Sequence, residues 1–227
     1  MAAEQPGYRV EVIESAPFAE NAYLLWRDGS AEALVVDPSF NVRSILRLVE
    51  REGLRIAAVL NTHGHADHIA GNAAIKQAAP AAPLLIGRDD APMLGDAEAN
   101  LSAGFGVPLT SPPADRLLDH GETVELAGFR FEIRQIPGHS PGSIVYLGRD
   151  FDVPFVLGGD VLFAGSVGRT DFPGGNAELL YEGIRAKLFD LPDATVIHPG
   201  HGPSTTVGRE RRTNPFVGEN PGTYYPT

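Results

Sequence analysis

Residues 8–14 (Y-R-V-E-V-I-E) carry apolar side chains at alternate positions, the period of a strand with one face covered. Residues 21–27 (N-A-Y-L-L-W-R) and 33–37 (A-L-V-V-D) predict two further strands, the second cut by Pro38-Ser39. The period then changes. Val42, Ile45, Leu46, Leu48 and Val49 fall at helical spacing, predicting a helix over 42–52 that Gly53 closes. Residues 56–60 (I-A-A-V-L) are apolar without interruption, as in a strand covered on both faces. That strand runs into the polar segment Asn61-Thr-His-Gly-His-Ala-Asp-His68, and a helix is predicted over 67–79, stopped by Pro80.

The second part of the chain repeats this order loosely. A strand is predicted at 83–86, a short helix near 89–94, and a long Gly/Pro-rich loop over 96–113, a length that is often functional in a compact domain. Leu117-Leu118, 122–126 and 129–136 predict antiparallel strands joined by turns at His120-Gly121 and Ala127-Gly128. Strands follow at 143–147 and 153–157, then a Gly-rich segment at 158–175. A helix over 177–188 should bury Leu179, Leu180, Ile184 and Leu188, and a last apolar strand spans 194–198. A loop at 199–206, a short basic helix and an extended tail over 214–227 close the chain. There is no sequence repeat and no linker. Each half nonetheless runs strands, a His-bearing loop and a helix, which two sheets between helical layers would explain. The expected fold class is α/β, a four-layer αββα sandwich, formed by residues 1–227 as a single domain.

Composition narrows the chemistry. With 18 Lys+Arg against 29 Asp+Glu the net charge is −11, which argues against nucleic acid and anionic membrane as partners. The 11 Phe and six Tyr are not interleaved with basic residues, so no base-stacking platform is predicted. Arg209–Arg212 reads as a solvated helix face. There is no Cys, which removes disulfides, thiolate metal sites and Cys nucleophiles together. Any metal must therefore be held by His and carboxylate. No secretory signal is visible at Met1-Ala-Ala-Glu and no apolar run is long enough to span a membrane, so a cytoplasmic protein is expected.

The strongest signal is His63-Gly-His65-Ala-Asp67-His68, in which three of the seven histidines and a carboxylate fall within six positions. Gly64, lacking a Cβ, allows the loop to curl so that His63 and His65 converge. Asp67 and His68 fall in a first helical turn, whose positive end should favour the carboxylate and keep His68 neutral. The spread over loop and helix suggests two ions, and comparable loops supply more donors. His139 (P-G-H-S-P-G), Asp160 (G-G-D) and His201 (P-G-H-G) each follow a strand and lie beside glycine. Five His and two Asp suit two divalent ions, zinc first, with iron or manganese as alternatives. Among the other polar residues, His120 is expected in a solvent-facing turn. His198 is expected to be buried and hydrogen-bonded behind the metal ligands. Asp37 is expected either to orient a ligand His or to cap the helix that follows it.

Thr62–His68 matches T-H-x-H-x-D-H, and with His139, Asp160 and His201 the chain resembles the metallo-β-lactamase fold superfamily. The resemblance implies the αββα sandwich with both metals at one edge of the sheets. It also implies that His63, His65 and His139 hold one ion, Asp67, His68 and His201 the other, and that Asp160 bridges them. Gly159-Asp-Val-Leu-Phe-Ala-Gly-Ser-Val-Gly-Arg-Thr-Asp-Phe172 is similar to the glyoxalase II branch. Pro199–Thr206 and Arg211–Phe216 are similar to its short bacterial hydrolases. Lactamases of this fold usually carry Cys where Asp160 stands, which speaks against antibiotic hydrolysis. Arg169 corresponds to a Lys that contacts the glutathione glycine carboxylate, and Asp171 replaces a neighbouring Tyr. Only 26 residues follow His201, so the helical C-terminal domain of typical glyoxalase II is expected to be missing.

The resemblance implies a metal-dependent thioesterase of the hydroxyacylglutathione hydrolase type, using a hydroxide between two ions, with Asp67 and Asp160 as the catalytic carboxylates. Two divalent ions, two aspartates and that hydroxide leave a centre of about +1, attractive to a small anionic thioester, including a glutathione-linked one, with Arg169 as a substrate contact. The leaving thiolate, with a pKa near 8.5, needs little help from an acid. The alternative is a persulfide dioxygenase, whose branch shares Gly-Arg-Thr-Asp-Phe and uses one Fe(II), here on His63, His139 and Asp160. Lactone and phosphodiester hydrolases come after it.

Overall fold

The computed structural model describes residues 7–222. The segment 1–6, on which the absence of a secretory signal was read, and the end of the expected tail, 223–227, lie outside the described residues.

Two six-stranded sheets stack face to face. The first runs β1 (Tyr8–Ser15), β2 (Glu20–Arg27), β3 (Glu32–Val36), β4 (Arg55–Leu60), β5 (Leu84–Gly87) and β6 (Arg116–Leu118), in that order. The second has β14 (Thr205–Thr206), β13 (Val196–Pro199), β10 (Phe155–Gly159), β9 (Ile144–Gly148), β8 (Phe129–Gln135) and β7 (Thr123–Leu126) side by side. Helices α1 (Val42–Arg51), α2 (Ala66–Ile69) and α3 (Asn72–Ala78) cover the first sheet, and α4 (Ala177–Lys187) with α5 (Val207–Thr213) cover the second. This is the αββα sandwich expected from the sequence. Among the described residues no helix is long and apolar enough to cross a membrane.

Strand alternation sorts each apolar run into two cores. In β3, Ala33 and Val35 pack outward with Ile45 and Leu48 of α1, while Leu34 and Val36 face inward. The inward layer joins Leu25, Leu60 and Leu85 of the first sheet to Phe129, Phe131, Tyr146 and Phe155 of the second. Outside the second sheet, Val145, Val156 and Ile197 meet Leu180, Ile184 and Leu188. Leu179, expected on that buried face, is 48% exposed, because the α4 stripe follows i, i+4, i+8 from Leu180.

Three predicted elements differ. The helix expected over 67–79 is split into α2 and α3 at Ala70-Gly71, where the chain is pressed against the first sheet's loop. Gly71 N–H donates to Pro38 O at 2.7 Å, and a Cβ on Gly71 would stand 2.6 Å from Ser39 O. The strands on either side of His120-Gly121 do not form a hairpin. β6 pairs parallel with β5, and the chain crosses there to the second sheet, where β7 pairs antiparallel with β8. The Gly-rich segment 158–175 contains a small hairpin, β11 (Leu162–Phe163) with β12 (Ser166–Val167).

The two sheets are laced together at one end. Ile144 N–H donates to Thr62 O at 2.9 Å, Asn21 N–H to Gly200 O at 2.7 Å, and the Tyr23 hydroxyl to Pro199 O at 2.7 Å. At that end the chain leaves β4, β8, β10 and β13, so four loops from two sheets open onto one place.

Candidate metal centre

Each of those loops delivers donors. The loop after β4 and the first turn of α2 bring His63, His65, Asp67 and His68; His139 follows β8, Asp160 follows β10 and His201 follows β13. The pairing of β10 with β13 shifts register between Leu157 and Gly159, an irregularity of the kind that re-aims the residue beyond it. These loops give three groups of donor atoms: His63, His65 and His139; Asp67, His68 and His201; and His63, His68 and Asp160, while a fourth, Glu20, Asp37 and His68, lies on the Nδ1 side of His68. The first two groups are the sets that the resemblance implied, and the third places Asp160 between them.

Asp160 connects the groups. Its Oδ1 lies 3.4 Å from His68 Nε2, and its Oδ2 lies 3.5 Å from both His139 Nε2 and His201 Nε2. His201 Nε2 is 3.3 Å from Asp67 Oδ2, and His139 Nε2 is 3.3 Å from His63 Nε2 and 2.9 Å from His65 Nδ1. Donors about 2.05 Å from a tetrahedral ion lie about 3.3 Å from one another, a spacing that most of these separations match.

The hydrogen bonds fix which nitrogen faces inward. His68 Nδ1 lies 3.1 Å from Asp37 Oδ2, His139 Nδ1 2.8 Å from Arg169 O, His201 Nδ1 3.2 Å from Phe18 O and His63 Nδ1 3.1 Å from Thr62 Oγ1. Thr62 itself donates to Asp37 Oδ2, so its oxygen is free to accept from His63. With each Nδ1 protonated toward an acceptor, each Nε2 keeps its lone pair toward the centre. His65 differs, presenting Nδ1. Buried His68 Nε2 and Asp160 Oδ1 have no hydrogen-bond partner among the described residues. A buried set of inward lone pairs without donors fits divalent cations, and a hydrogen-bonded protein network would not leave it so.

Charge follows from the same geometry. Burial, reinforced by neighbouring histidines, holds His63 well below its ordinary pKa and His65 down at about 3. Burial opposes protonation of His68 too, but Asp160 and Asp67 outweigh it and raise His68 well above its usual value. Both carboxylates stand among the donors that could hold a cation, and a cation there would draw their charge and leave His68 the neutral ligand expected. α2 is a single turn, and the carboxylates around His68 dominate its electrostatics. Burial works against the charge on Asp160, yet His68, His139 and His201 hold it well below the carboxylate range.

The missing Cβ of Gly64 is what the loop needs, as expected: its φ is not in the left-handed region, and a Cβ would stand 2.7 Å from Met93 Cβ. Asp37 grips Thr62 N–H at 2.8 Å as well as His68, from a left-handed backbone at φ 46°, which Asp tolerates better than most residues. α1 begins at Asn41 with no side-chain cap, so of the two roles considered for Asp37 the contacts are those of orienting a ligand His. His198 is not brought to the cluster. The alternation of β13 turns its ring onto Tyr23 at 5.5 Å and Phe155 at 6.1 Å, and its Nδ1 lies 3.1 Å from Ser204 Oγ. His120 is exposed in its turn.

Two residues escaped the sequence reading. Buried Asp90 accepts from Gly64 N–H at 3.0 Å, Ser140 Oγ–H at 2.6 Å and Gly142 N–H at 2.5 Å, tying the His63–His65 loop to the His139 loop. Buried Glu20 lies 3.7 Å from His68 Nδ1, beside Asp37, and burial raises its pKa well above the usual range. A charged residue opening β2, every position of which is buried, was the available signal for Glu20. Asp90 offered none.

The cluster floors a pocket of about 260 Å³ whose walls include Phe18, Leu101, Phe105, Phe172 and Arg169. A larger cleft, about 390 Å³, lies near α1 against Leu46, Val49 and Ala79, away from these donors.

Fold and donors together define an αββα protein whose sheet edge is equipped to hold divalent metal. The chain belongs to the metallo-beta-lactamase superfamily, whose family model matches residues 16–201. It is 36% identical to hydroxyacylglutathione hydrolase GloC of Haemophilus influenzae over 92% of this chain and 97% of that protein. The crystal structure of BLEG-1 B3 metallo-beta-lactamase superposes with a TM-score of 0.86 at 37% identity, covering 92% of this chain and 99% of that one. TTHA1623 in a di-iron-bound form gives 0.79 at 36% identity, over 92% and 100% of the two chains. ETHE1 from Myxococcus xanthus gives 0.76 at 28%, over 92% and 84%.

Proposed function

We propose that the protein is a metal-dependent hydrolase of thioesters, of the hydroxyacylglutathione hydrolase type, acting on a small S-acyl thiol. The observation that carries this reading is Asp160, one carboxylate reaching His68 through one oxygen and His139 and His201 through the other. A carboxylate so placed suits two ions side by side, and the similarity to hydroxyacylglutathione hydrolase GloC supports the substrate class.

Two divalent ions, when bound, would bring the pKa of water down to about 7 and polarise an acyl carbonyl. Zinc fits the nitrogen-rich set, and iron fits it also. The residues of the chain prepare the place for that chemistry. Asp37, Thr62 and the carbonyls of Arg169 and Phe18 hold the rings so that lone pairs point inward. Asp67 and Asp160 supply negative charge, leaving two divalent ions with a net positive centre beneath the pocket. Phe18, Phe105 and Phe172 give apolar contact to the substrate's arms. The thiolate that leaves is a weak base, so the pocket need not offer a proton donor.

The test is a set of assays on the purified, metal-loaded protein: S-lactoylglutathione hydrolysis, oxygen uptake with glutathione persulfide, and cleavage of a β-lactam. Thioester hydrolysis as the leading activity is expected. Oxygen uptake with one iron per chain would establish a persulfide dioxygenase instead, and faster β-lactam cleavage would establish a lactamase.

A further inference from the structure

The pocket wall beside His201 is apolar and continues past the pocket. Phe18, whose carbonyl lies 3.2 Å from His201 Nδ1, packs edge-on to Phe105 with ring centroids 5.2 Å apart and also meets Phe40 at 6.1 Å. Phe18 and Phe105 line the pocket, so the three rings lead from the metal-facing donors out onto the surface. Phe40 and Phe105 are 43% and 56% exposed, and Val107, two residues further on, 63%. Large apolar side chains left in water at the mouth of a pocket mark a surface that an apolar ligand covers. Leu101 joins the same wall from a left-handed backbone at φ 71°, a conformation that so bulky a residue rarely adopts. Asn100 holds it there. The Asn100 side chain donates to Met93 O at 3.2 Å and Leu109 O at 3.0 Å, and its backbone carbonyl accepts from Ala66 N–H at 2.9 Å. The loop is thereby tied to the turn that carries Asp67 and His68, and its strain falls at the site. The side beside His65 and His139 differs. Phe172 packs on those two rings at 5.5 and 6.3 Å, and over it lies Arg169, the one lysine or arginine among the described residues lining the pocket.

We propose that Phe18, Phe40, Leu101 and Phe105 form a subsite for the acyl arm, so that the protein prefers thioesters of medium-length apolar acyl chains to short or hydroxylated ones. This rests on the thioesterase reading for the bond that is broken; one water splits such an ester into the carboxylic acid and the free thiol. Two arms leave the thioester carbonyl, one through carbon and one through sulfur. A charged thiol arm is drawn to Arg169, where the resemblance places its carboxylate, which directs the carbon arm to the uncharged wall. None of the four side chains there offers a hydrogen bond to replace the water around an acyl hydroxyl. A methylene fully removed from water gains about fourfold in binding, and against rings that stay half-exposed about twofold.

The test keeps one thiol and varies the acyl arm: S-acetyl-, S-lactoyl-, S-butanoyl- and S-hexanoylglutathione on the metal-loaded protein. From acetyl to hexanoyl, kcat/KM should climb about tenfold, with lactoyl below butanoyl. Phe40→Ser combined with Phe105→Ser removes two exposed rings at little cost to the fold, and should cut the hexanoyl-to-acetyl ratio to about twofold. Phe105→Leu alone should keep most of it. S-methyl- and S-hexylglutathione, which have no carbonyl to attack, give the same comparison by calorimetry without turnover, and the hexyl compound should bind about tenfold more tightly. If no thioester is hydrolysed but the hexyl preference is present and is lost in the double variant, the thioesterase reading fails and the apolar subsite stands. A flat or falling series among esters that are hydrolysed, or a preference that survives the double substitution, would overturn the inference. So would a double variant that turns a dimer into a monomer without any chain-length dependence, which would make the rings an interface between copies.

Discussion

At the scale of single residues, the site works by pairing each metal-facing nitrogen with a partner on the far side of its ring. Asp37 does this for His68 and, through Thr62, for His63. Asp37→Ala should therefore weaken metal binding by about 10- to 100-fold, measured by competition with a chromophoric chelator. His198 makes a separate prediction. Burial lowers its pKa to about 4, so the folded state resists a proton that the unfolded chain accepts below about 6.5. The resulting stability is complete above pH 6.5 and is lost as pH falls toward 4, by no more than about 3 kcal/mol. Urea melts across that window should show the loss, and His198→Gln should flatten the slope. The ligands were legible as residues because glycine-flanked histidines after apolar strands have few structural reasons to exist. Asp90 and Glu20 were not, because their partners come from loops distant in sequence.

At the scale of elements, stability resides in the layer between the sheets and in the ties at its open end. Phe131 is fully buried between Phe129, Tyr146 and Phe155, and Phe131→Ala should cost about 3–5 kcal/mol in denaturant melts. Asp90→Ala leaves two buried N–H groups without an acceptor and should cost about 3 kcal/mol while weakening metal binding, since it frees the His63–His65 loop from the His139 loop. Most strands could be read from alternation and apolar runs. The split between α2 and α3 could not, since it depends on Gly71 meeting Pro38 and Ser39. The crossing at His120-Gly121 was equally hidden. A turn between two short strands looks the same in sequence whether it closes a hairpin or passes from one sheet to the other, and what decides is that β6 finds β5.

At the scale of the whole molecule, the donors belong to both sheets, so metal binding clamps the sandwich at its laced end. Loaded protein should unfold at a higher temperature than protein stripped with EDTA, with about 4 kcal/mol of added stability at a free metal concentration a thousand times the Kd. An unchanged Tm would separate the cluster from metal altogether. The sequence made the αββα order visible through its strand, His-loop and helix succession, and the absence of Cys already required a His/Asp site. The resemblance already implied a bridging Asp160; what it could not display is how the two Asp160 oxygens come to lie near His68, His139 and His201, a placement that exists only once β4, β8, β10 and β13 end together. Counting metal ions per chain in wild type and Asp160→Ala by mass spectrometry of the loaded proteins tests that position most directly. Two ions in the wild type and fewer than two in the variant, with thioester turnover down at least about 100-fold, are predicted. One ion per wild-type chain, or full occupancy and unchanged turnover in Asp160→Ala, would contradict the two-metal account.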